Sequence, residues 1–167
     1  MDMNEQVPQG SAEWKTLRAG RVTASRIADM MAKTKSGWGA SRANYAAQLV
    51  AERLTGEIAE SYTNAAMQWG TEHEADARVA YEFRSDVTVT EVGFVEHPTI
   101  PMAGASPDGL VNDDGLVEIK APQTAAHIET LLSPEPAGKY VLQMQWQLSC
   151  TGRKWCDFAS FDPRMPE

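Results

Sequence analysis

The stretch Ser106–Lys120, which reads SPDGLVNDDGLVEIK, constrains this chain more than any other part of it. Its middle, Asn112-Asp113-Asp114-Gly115, gathers turn residues, and an Asp-Gly step favours the positive φ values of a tight hairpin. Apolar pairs flank the turn at Leu110-Val111 and Leu116-Val117, so two strands folded back on each other are expected. Such a hairpin brings Asp108 roughly opposite Glu118, where cross-strand neighbours lie about 5 to 8 Å apart. Side chains alternate along a strand, so Glu118 and Lys120 share one face while Val117 and Ile119 point into the core. Asp, Glu and Lys then meet on one edge. Carboxylate oxygens at that spacing suit a hard divalent cation such as Mg²⁺, and a lysine beside them can hold or deprotonate a water. The same letters also permit a plain solvated hairpin with a turn aspartate and a rim ion pair.

The rest of the chain supplies the setting. Its 167 residues are one domain's worth, and a single domain over 1–167 is expected, with 1–10 flexible. No apolar run approaches the length of a membrane span and the first ten residues are polar, which points to a cytoplasmic protein without a membrane partner. Cys150 and Cys156 lack metal-type spacing and are expected as reduced thiols. A net charge of -8 argues at first against a nucleic-acid partner, since phosphate binding usually leaves a basic footprint. The charge is unevenly spread, however: residues 13–56 carry +5 and residues 57–118 carry -11. A basic flank beside an acidic, cation-attracting centre is compatible with gripping phosphates on one side, and equally with an ordinary mixed surface.

In chain order, Ser11 is expected to cap a helix carrying Trp14, Leu17 and Arg18 and ending near Gly20. A second helix begins at Thr23 or Ser25. Residues 34–41 read as a loop, with Trp38 expected over the core rather than stacked on a base. Helices follow over 43–54 and 64–84, the latter burying Met67, Ala77 and Tyr81. Strands are expected at 87–90 continuing through 93–96, at 102–111 and at 115–121; then come a short helix over 124–132, a helix over 139–150 and a closing strand over 153–161. That order suits an α/β fold, a mixed sheet flanked by helices.

Pro107-Asp108 followed after nine residues by Glu118-x-Lys120 resembles the PD-(D/E)xK nuclease core. Four further stretches sharpen the likeness: Trp14-x-x-Leu17-Arg18-x-Gly20 with Thr23-Ala24-Ser25, then Trp69-Gly70-x-x-x-Glu74-x-x-Ala77-Arg78, Tyr140-x-x-Gln143-x-Gln145, and Phe161-Asp162-Pro163-Arg164-Met165. In this order, and from Trp14 onward, the chain resembles the lambda exonuclease family, the YqaJ-type phage recombination nucleases. The resemblance implies a restriction-endonuclease-like core and a 5′-to-3′ exonuclease on double-stranded DNA, releasing 5′-mononucleotides and leaving a 3′ single strand for annealing. It implies that Asp108, Glu118 and the Ile119 carbonyl hold Mg²⁺, with Mn²⁺ able to substitute, and that Glu74 joins as an outer carboxylate. Lys120 would position or activate the attacking water, and Gln143 would contact that lysine or the water. Arg18, Thr23, Ser25 and Ser106 match positions that bind the 5′ phosphate. Relatives form a homotrimeric ring on duplex DNA ends and work beside a single-strand annealing protein, inside a bacterial host carrying the phage gene.

Local alternatives compete at several of these positions. Thr23 or Ser25 can simply cap a helix, Arg18 can pair with Glu13 or Glu52, and His73 is expected to be structural. Two departures from the family pattern stand out. Ala126 occupies the place of a phosphate-binding arginine, with His127 next to it expected on the surface or a helix face, and the chain stops at Glu167 before a further strand and helix. An endonuclease of restriction or repair type sharing the same metal centre, or a non-catalytic DNA-binding protein, are the readings that compete with the exonuclease.

Overall fold

A computed structural model describes residues 6–58 and 64–165, so the expectation of a flexible segment over 1–10 lies partly outside the described residues. The described residues group into two compact units, the first made of 6–58, 92–107 and 138–152, the second of 64–91, 108–137 and 153–165.

The first unit begins with α1 (Ala12–Arg18), whose N-cap Ser11 accepts a hydrogen bond from Trp14 N at 3.1 Å, as the sequence implied. Next come β1 (Val22–Thr23), a single 3₁₀ turn over Ala24–Arg26 and α2 (Ile27–Met31). The expected loop over 34–41 contains a small hairpin instead, β2 (Lys33–Thr34) against β3 (Gly37–Trp38). Trp38 is 55% exposed, not tucked over the core. Its ring is covered by the Arg42 guanidinium at 3.9 Å and the Lys33 ammonium at 5.1 Å, cation–π partners that let a large aromatic stay in water. Helix α3 (Ala40–Thr55) buries Tyr45, Leu49 and Glu52 and stops at Gly56. Glu52 is a buried carboxylate that stays satisfied by accepting from Gly20 N at 2.7 Å and from the Gln48 amide at 2.9 Å. The strands β5 (Val95–Glu96) and β6 (Ala103–Ala105) complete a three-stranded mixed sheet with β1, which runs parallel to β6. Helix α6 (Gly138–Thr151) contributes Cys150 and Trp146 to a core with Ala24 and Ala105.

The second unit holds α4 (Ala65–Ser85), capped by Asn64, and a four-stranded mixed sheet in the order β4 (Val89–Thr90), β7 (Gly109–Val111), β8 (Gly115–Lys120), β9 (Trp155–Ser160). Its core joins Ala77 of α4 to Val111, Val117 and Ile119. Met67, expected in that core, is 50% exposed in the first turn of α4, where the apolar stripe has not yet reached the sheet. Helix α5 (Thr124–Leu132) has the predicted bounds. The two segments expected as one strand over 87–96 belong to different sheets, β4 in this unit and β5 in the first.

The mixed α/β architecture is as expected, with one correction at its centre. The strand expected over 102–111 is broken into β6 and β7 at Ser106-Pro107-Asp108, because Pro107 has no N–H to donate and releases the chain from the ladder. The hairpin turn also differs in detail. Positive φ falls on Asn112 (φ 48°), a residue that tolerates the left-handed region, not on the Asp-Gly step. Gly115 is in β8 and paired with Val111, and it must be glycine because the Trp155 ring lies where a Cβ would be. Arg153 holds the turn from beneath, donating from Nη1 to the carbonyls of Asn112 at 2.9 Å and Gly115 at 2.7 Å.

Candidate active site

The β7–β8 register pairs Gly109 with Val117 and Leu110 with Leu116. Continued by one residue, it sets Asp108 opposite Glu118, the juxtaposition read from the sequence. Strand β8 is hydrogen-bonded on both sides, antiparallel to β7 and parallel to β9 over all six of its residues. Glu118 is completely buried, and the side chains of Asp108 and Lys120 are 15% and 28% exposed.

These side chains converge on one atom. The Lys120 ammonium contacts Glu118 Oε1, donates to the Ile119 carbonyl at 3.1 Å and lies 3.9 Å from Asp108 Oδ2. Asp108 Oδ2 in turn accepts from Ile119 N at 2.7 Å, which ties the carboxylate to the strand opposite it. Loss of solvation pushes the Asp108 carboxyl up to about 7, helped by the nearby charges of Glu118 and Glu74 and opposed by Lys120 and the Ile119 N–H. Glu74 on α4 is thus within electrostatic reach of Asp108. Its carboxylate is 39% exposed and pairs with Arg78 Nη2 at 3.4 Å.

Asp108, Glu118 and the Ile119 carbonyl therefore present three hard oxygens around a single positive centre, the donor chemistry that Mg²⁺ requires. No group of three or more His, Cys, Asp or Glu side chains close enough to hold a metal ion occurs among the described residues. Mg²⁺ is usually bound through one or two carboxylates, with water and substrate phosphate completing its shell, so the residues present fit it without a third carboxylate.

A second cluster lies within the first unit. Arg18 Nη2 donates to Ser25 Oγ at 3.4 Å, and Ser25 Oγ lies 3.4 Å from Thr23 Oγ1. The Arg18 guanidinium is stacked on the Trp14 ring at 4.0 Å, and Trp14 Nε1 donates to Ser106 Oγ at 2.9 Å. All four expected phosphate-contacting residues are thereby joined, with Trp14 as the link. Sequence reasoning placed Trp14 on the same helix as Arg18 and used it as a motif marker, but gave it no part in this cluster; the i,i+4 spacing was the available signal. Neither Glu13 nor Glu52 neutralises Arg18 among the described residues, and burial holds its guanidinium below the usual arginine value. Thr23 stands at the start of the 3₁₀ turn without a side-chain cap hydrogen bond.

Other expectations resolve separately. Gln143 is half-buried on α6, in the first unit. Ala126 is exposed on α5. His127 is buried, not on the surface, with Nδ1 2.8 Å from Ser160 Oγ, so it is committed to packing α5 against β9 and cannot stand in for the missing arginine. His73 packs against Trp69 with ring centres 4.0 Å apart and the rings tilted by 58°, and lies 3.6 Å from Asp76, in keeping with a structural role. Both cysteines are free thiols, pushed up to about 12 by burial. No helix among the described residues is long and apolar enough to cross a membrane.

Comparison with known proteins places this arrangement. The chain aligns with a crystal structure of an alkaline exonuclease (LHK-Exo) from Laribacter hongkongensis at 54% identity and a TM-score of 0.86, covering 93% of this chain and 76% of that one. The crystal structure of LHK-Exo in complex with dAMP aligns equally well. A phage-related exonuclease from Haemophilus somnus 129PT shares the fold at 17% identity and a TM-score of 0.66, covering 84% of this chain and 68% of that one. A search of the curated proteins gave no match. Residues 13–154 match the YqaJ-like viral recombinase domain, a span that takes in both clusters, and the chain belongs to that family.

Proposed function

We propose that this chain is a Mg²⁺-dependent exonuclease that digests one strand of double-stranded DNA from its 5′ end, releasing 5′-mononucleotides and leaving a 3′ single strand for phage recombination by annealing. The observation that carries this reading is the convergence of Asp108 Oδ2, Glu118 Oε1 and the Ile119 carbonyl on the Lys120 ammonium. The 54% identity to an alkaline exonuclease, one of whose structures holds dAMP, supports DNA as substrate and a mononucleotide as product.

In this proposal Asp108, Glu118 and the Ile119 carbonyl would hold the cation, with Glu74 as an outer ligand and Mn²⁺ as a substitute. The bound cation would supply a polarised phosphate and a water of lowered pKa. Lys120 would orient the attacking water with its ammonium, and Gln143 would assist that water or the lysine. Arg18, with the hydroxyls of Thr23, Ser25 and Ser106, would hold the 5′ phosphate, since a guanidinium without a carboxylate partner among the described residues favours an anion. We take both units as parts of one nuclease domain acting in the cytoplasm, assembling as a homotrimeric ring on DNA ends beside a single-strand annealing protein.

The test is nucleotide release from a linear duplex labelled at one 5′ end, with and without a terminal phosphate, beside a closed circle, in Mg²⁺ and in EDTA. The reading requires release from the 5′ end of the linear substrate only, abolished by EDTA. Cleavage of the circle would favour an endonuclease, and degradation that survives EDTA would remove the metal from the scheme.

A further inference from the structure

The Asp162-Pro163-Arg164-Met165 segment lies outside the machinery described so far. Its backbone is a turn in which Met165 N donates to the Asp162 carbonyl at 3.0 Å, with Asp first and Pro second, the residues such a turn favours. Turn chemistry accounts for Asp162 and Pro163. It does not account for the arrangement of the Arg164 side chain.

The Arg164 guanidinium is fixed along one edge and over one face. Nε and Nη2 donate to the two oxygens of Asp162 at 2.8 and 2.9 Å, a bidentate fork. Asp162 is itself buried and accepts from Thr124 Oγ1 at 2.6 Å and from Arg164 N at 3.0 Å, so the fork stands on a rigid base. The guanidinium carbon lies over the Trp69 indole, 4.2 Å from its centre, and His73 packs against the same indole. The Arg164 side chain is nonetheless 50% exposed. A planar cation, immobilised by a carboxylate and an indole yet open to solvent, is a stacking surface whose ordering cost has already been met within the fold.

Its position gives the surface a partner. Phe161 N donates to the Lys120 carbonyl at 2.9 Å, so the chain enters the Asp-Pro-Arg turn directly beside the catalytic strand. Gly70, next to Trp69, faces the Ala121 carbonyl, 3.6 Å from where a Cβ would sit. Trp69 precedes Glu74 by five residues, about 7 to 8 Å along α4. Two or three stacked nucleotides, at about 3.4 Å each, span that interval.

We infer that Arg164, backed by Trp69 and Asp162, is a stacking platform for a nucleobase of the digested strand, two or three nucleotides from the phosphate being cut. This inference rests on the nuclease reading above and adds a binding residue to it. Arginine planes accept unstacked bases without regard to sequence, as an exonuclease on arbitrary DNA requires.

The test uses the full chain, with Ca²⁺ in place of Mg²⁺ to hold back cleavage, and 5′-phosphorylated duplexes carrying one abasic site at each of the first few positions of the digested strand. The parent protein should lose about 5- to 150-fold in affinity at one position, the range for a single base–side-chain stack. In R164A and R164K that penalty should vanish, although R164K keeps the charge opposite Asp162 and guards against simple unfolding of R164A. A penalty in R164K equal to the parent's would show that charge and not the plane is used, and would overturn the inference. So would a parent indifferent to every abasic site. Failure to bind the intact duplex in Ca²⁺ and to cut it once Mg²⁺ is restored would remove the nuclease reading as well, whereas normal cutting in Mg²⁺ without an Arg164-dependent position removes only the platform.

Discussion

At Asp108 the requirements of stability and of chemistry conflict. Its carboxyl, raised from 3.8 to about 7, is harder to ionise in the fold than in the unfolded chain. For an acid shifted this way, the destabilising effect is absent below about pH 4, grows as pH rises towards 7 and is constant above. D108N keeps an oxygen to accept the Ile119 N–H, so in EDTA at pH 8 it should melt several degrees above the parent, a gap that closes on acidification to pH 4 and is read by thermal melts. The same substitution should reduce nucleotide release by about 100-fold or more, since even the outer partners of metal ligands cost 10- to 100-fold. A variant less stable than the parent at pH 8 would contradict the burial argument. At the other cluster, R18A should spare digestion of a 5′-hydroxyl end and lower kcat/KM on a 5′-phosphate end by about 10- to 150-fold, the worth of one charge-assisted hydrogen bond. A uniform loss on both ends would assign Arg18 to stability.

Strand β8 carries the site because its alternating faces do two tasks at once. Val117 and Ile119 pack on Ala77 of α4 while Glu118 and Lys120 meet Asp108, and one register shift would exchange the two sets. Gly115 guards that register, for its missing Cβ admits the Trp155 ring. G115A should therefore cost about 1 to 3 kcal/mol by overpacking and lower the melting temperature by several degrees, measurable by calorimetry, with the far-UV spectrum unchanged. This scale is also where the sequence was most legible. Alternation and turn residues sufficed for the Asp108–Glu118 pairing, and the cap at Ser11 located the first helix, because each depends on neighbours a few residues apart. The break at Pro107 was missed although a proline cannot donate to a ladder, whereas the exposure of Trp38 and the burial of His127 were not legible. Trp38 depends on a cation–π pair that no periodicity encodes, and His127 answers to Ser160, far along the chain. Arg18, Thr23, Ser25 and Ser106 were grouped through family resemblance, whereas the hydrogen bond that links them through Trp14 and Ser106 spans 92 residues of sequence and has no local signal.

For the molecule as a whole, the proposed cation is a stabilising ligand as well as a reagent. A ligand bound only by the folded state raises stability by about 2.7 kcal/mol at one hundred times its dissociation constant. Mg²⁺ should therefore raise the melting temperature of the parent and leave that of D108N in place, a comparison needing no DNA and independent of turnover. An equal rise in both proteins would locate the ion elsewhere. With a net charge of -8, a grip on phosphates of the kind proposed would be confined to places where the local balance is reversed, as in residues 13–56. The backbone of β8, laddered to a neighbour along each edge, leaves no margin along which it could slide. The spacing of Glu118 from the Ile119 carbonyl is thus fixed by main-chain ladders, while Asp108, in the bend before β7, is held to the same strand by the Ile119 N–H. Were the cation bound as proposed, changes in the surrounding loops would leave this geometry in place and alter only what reaches it.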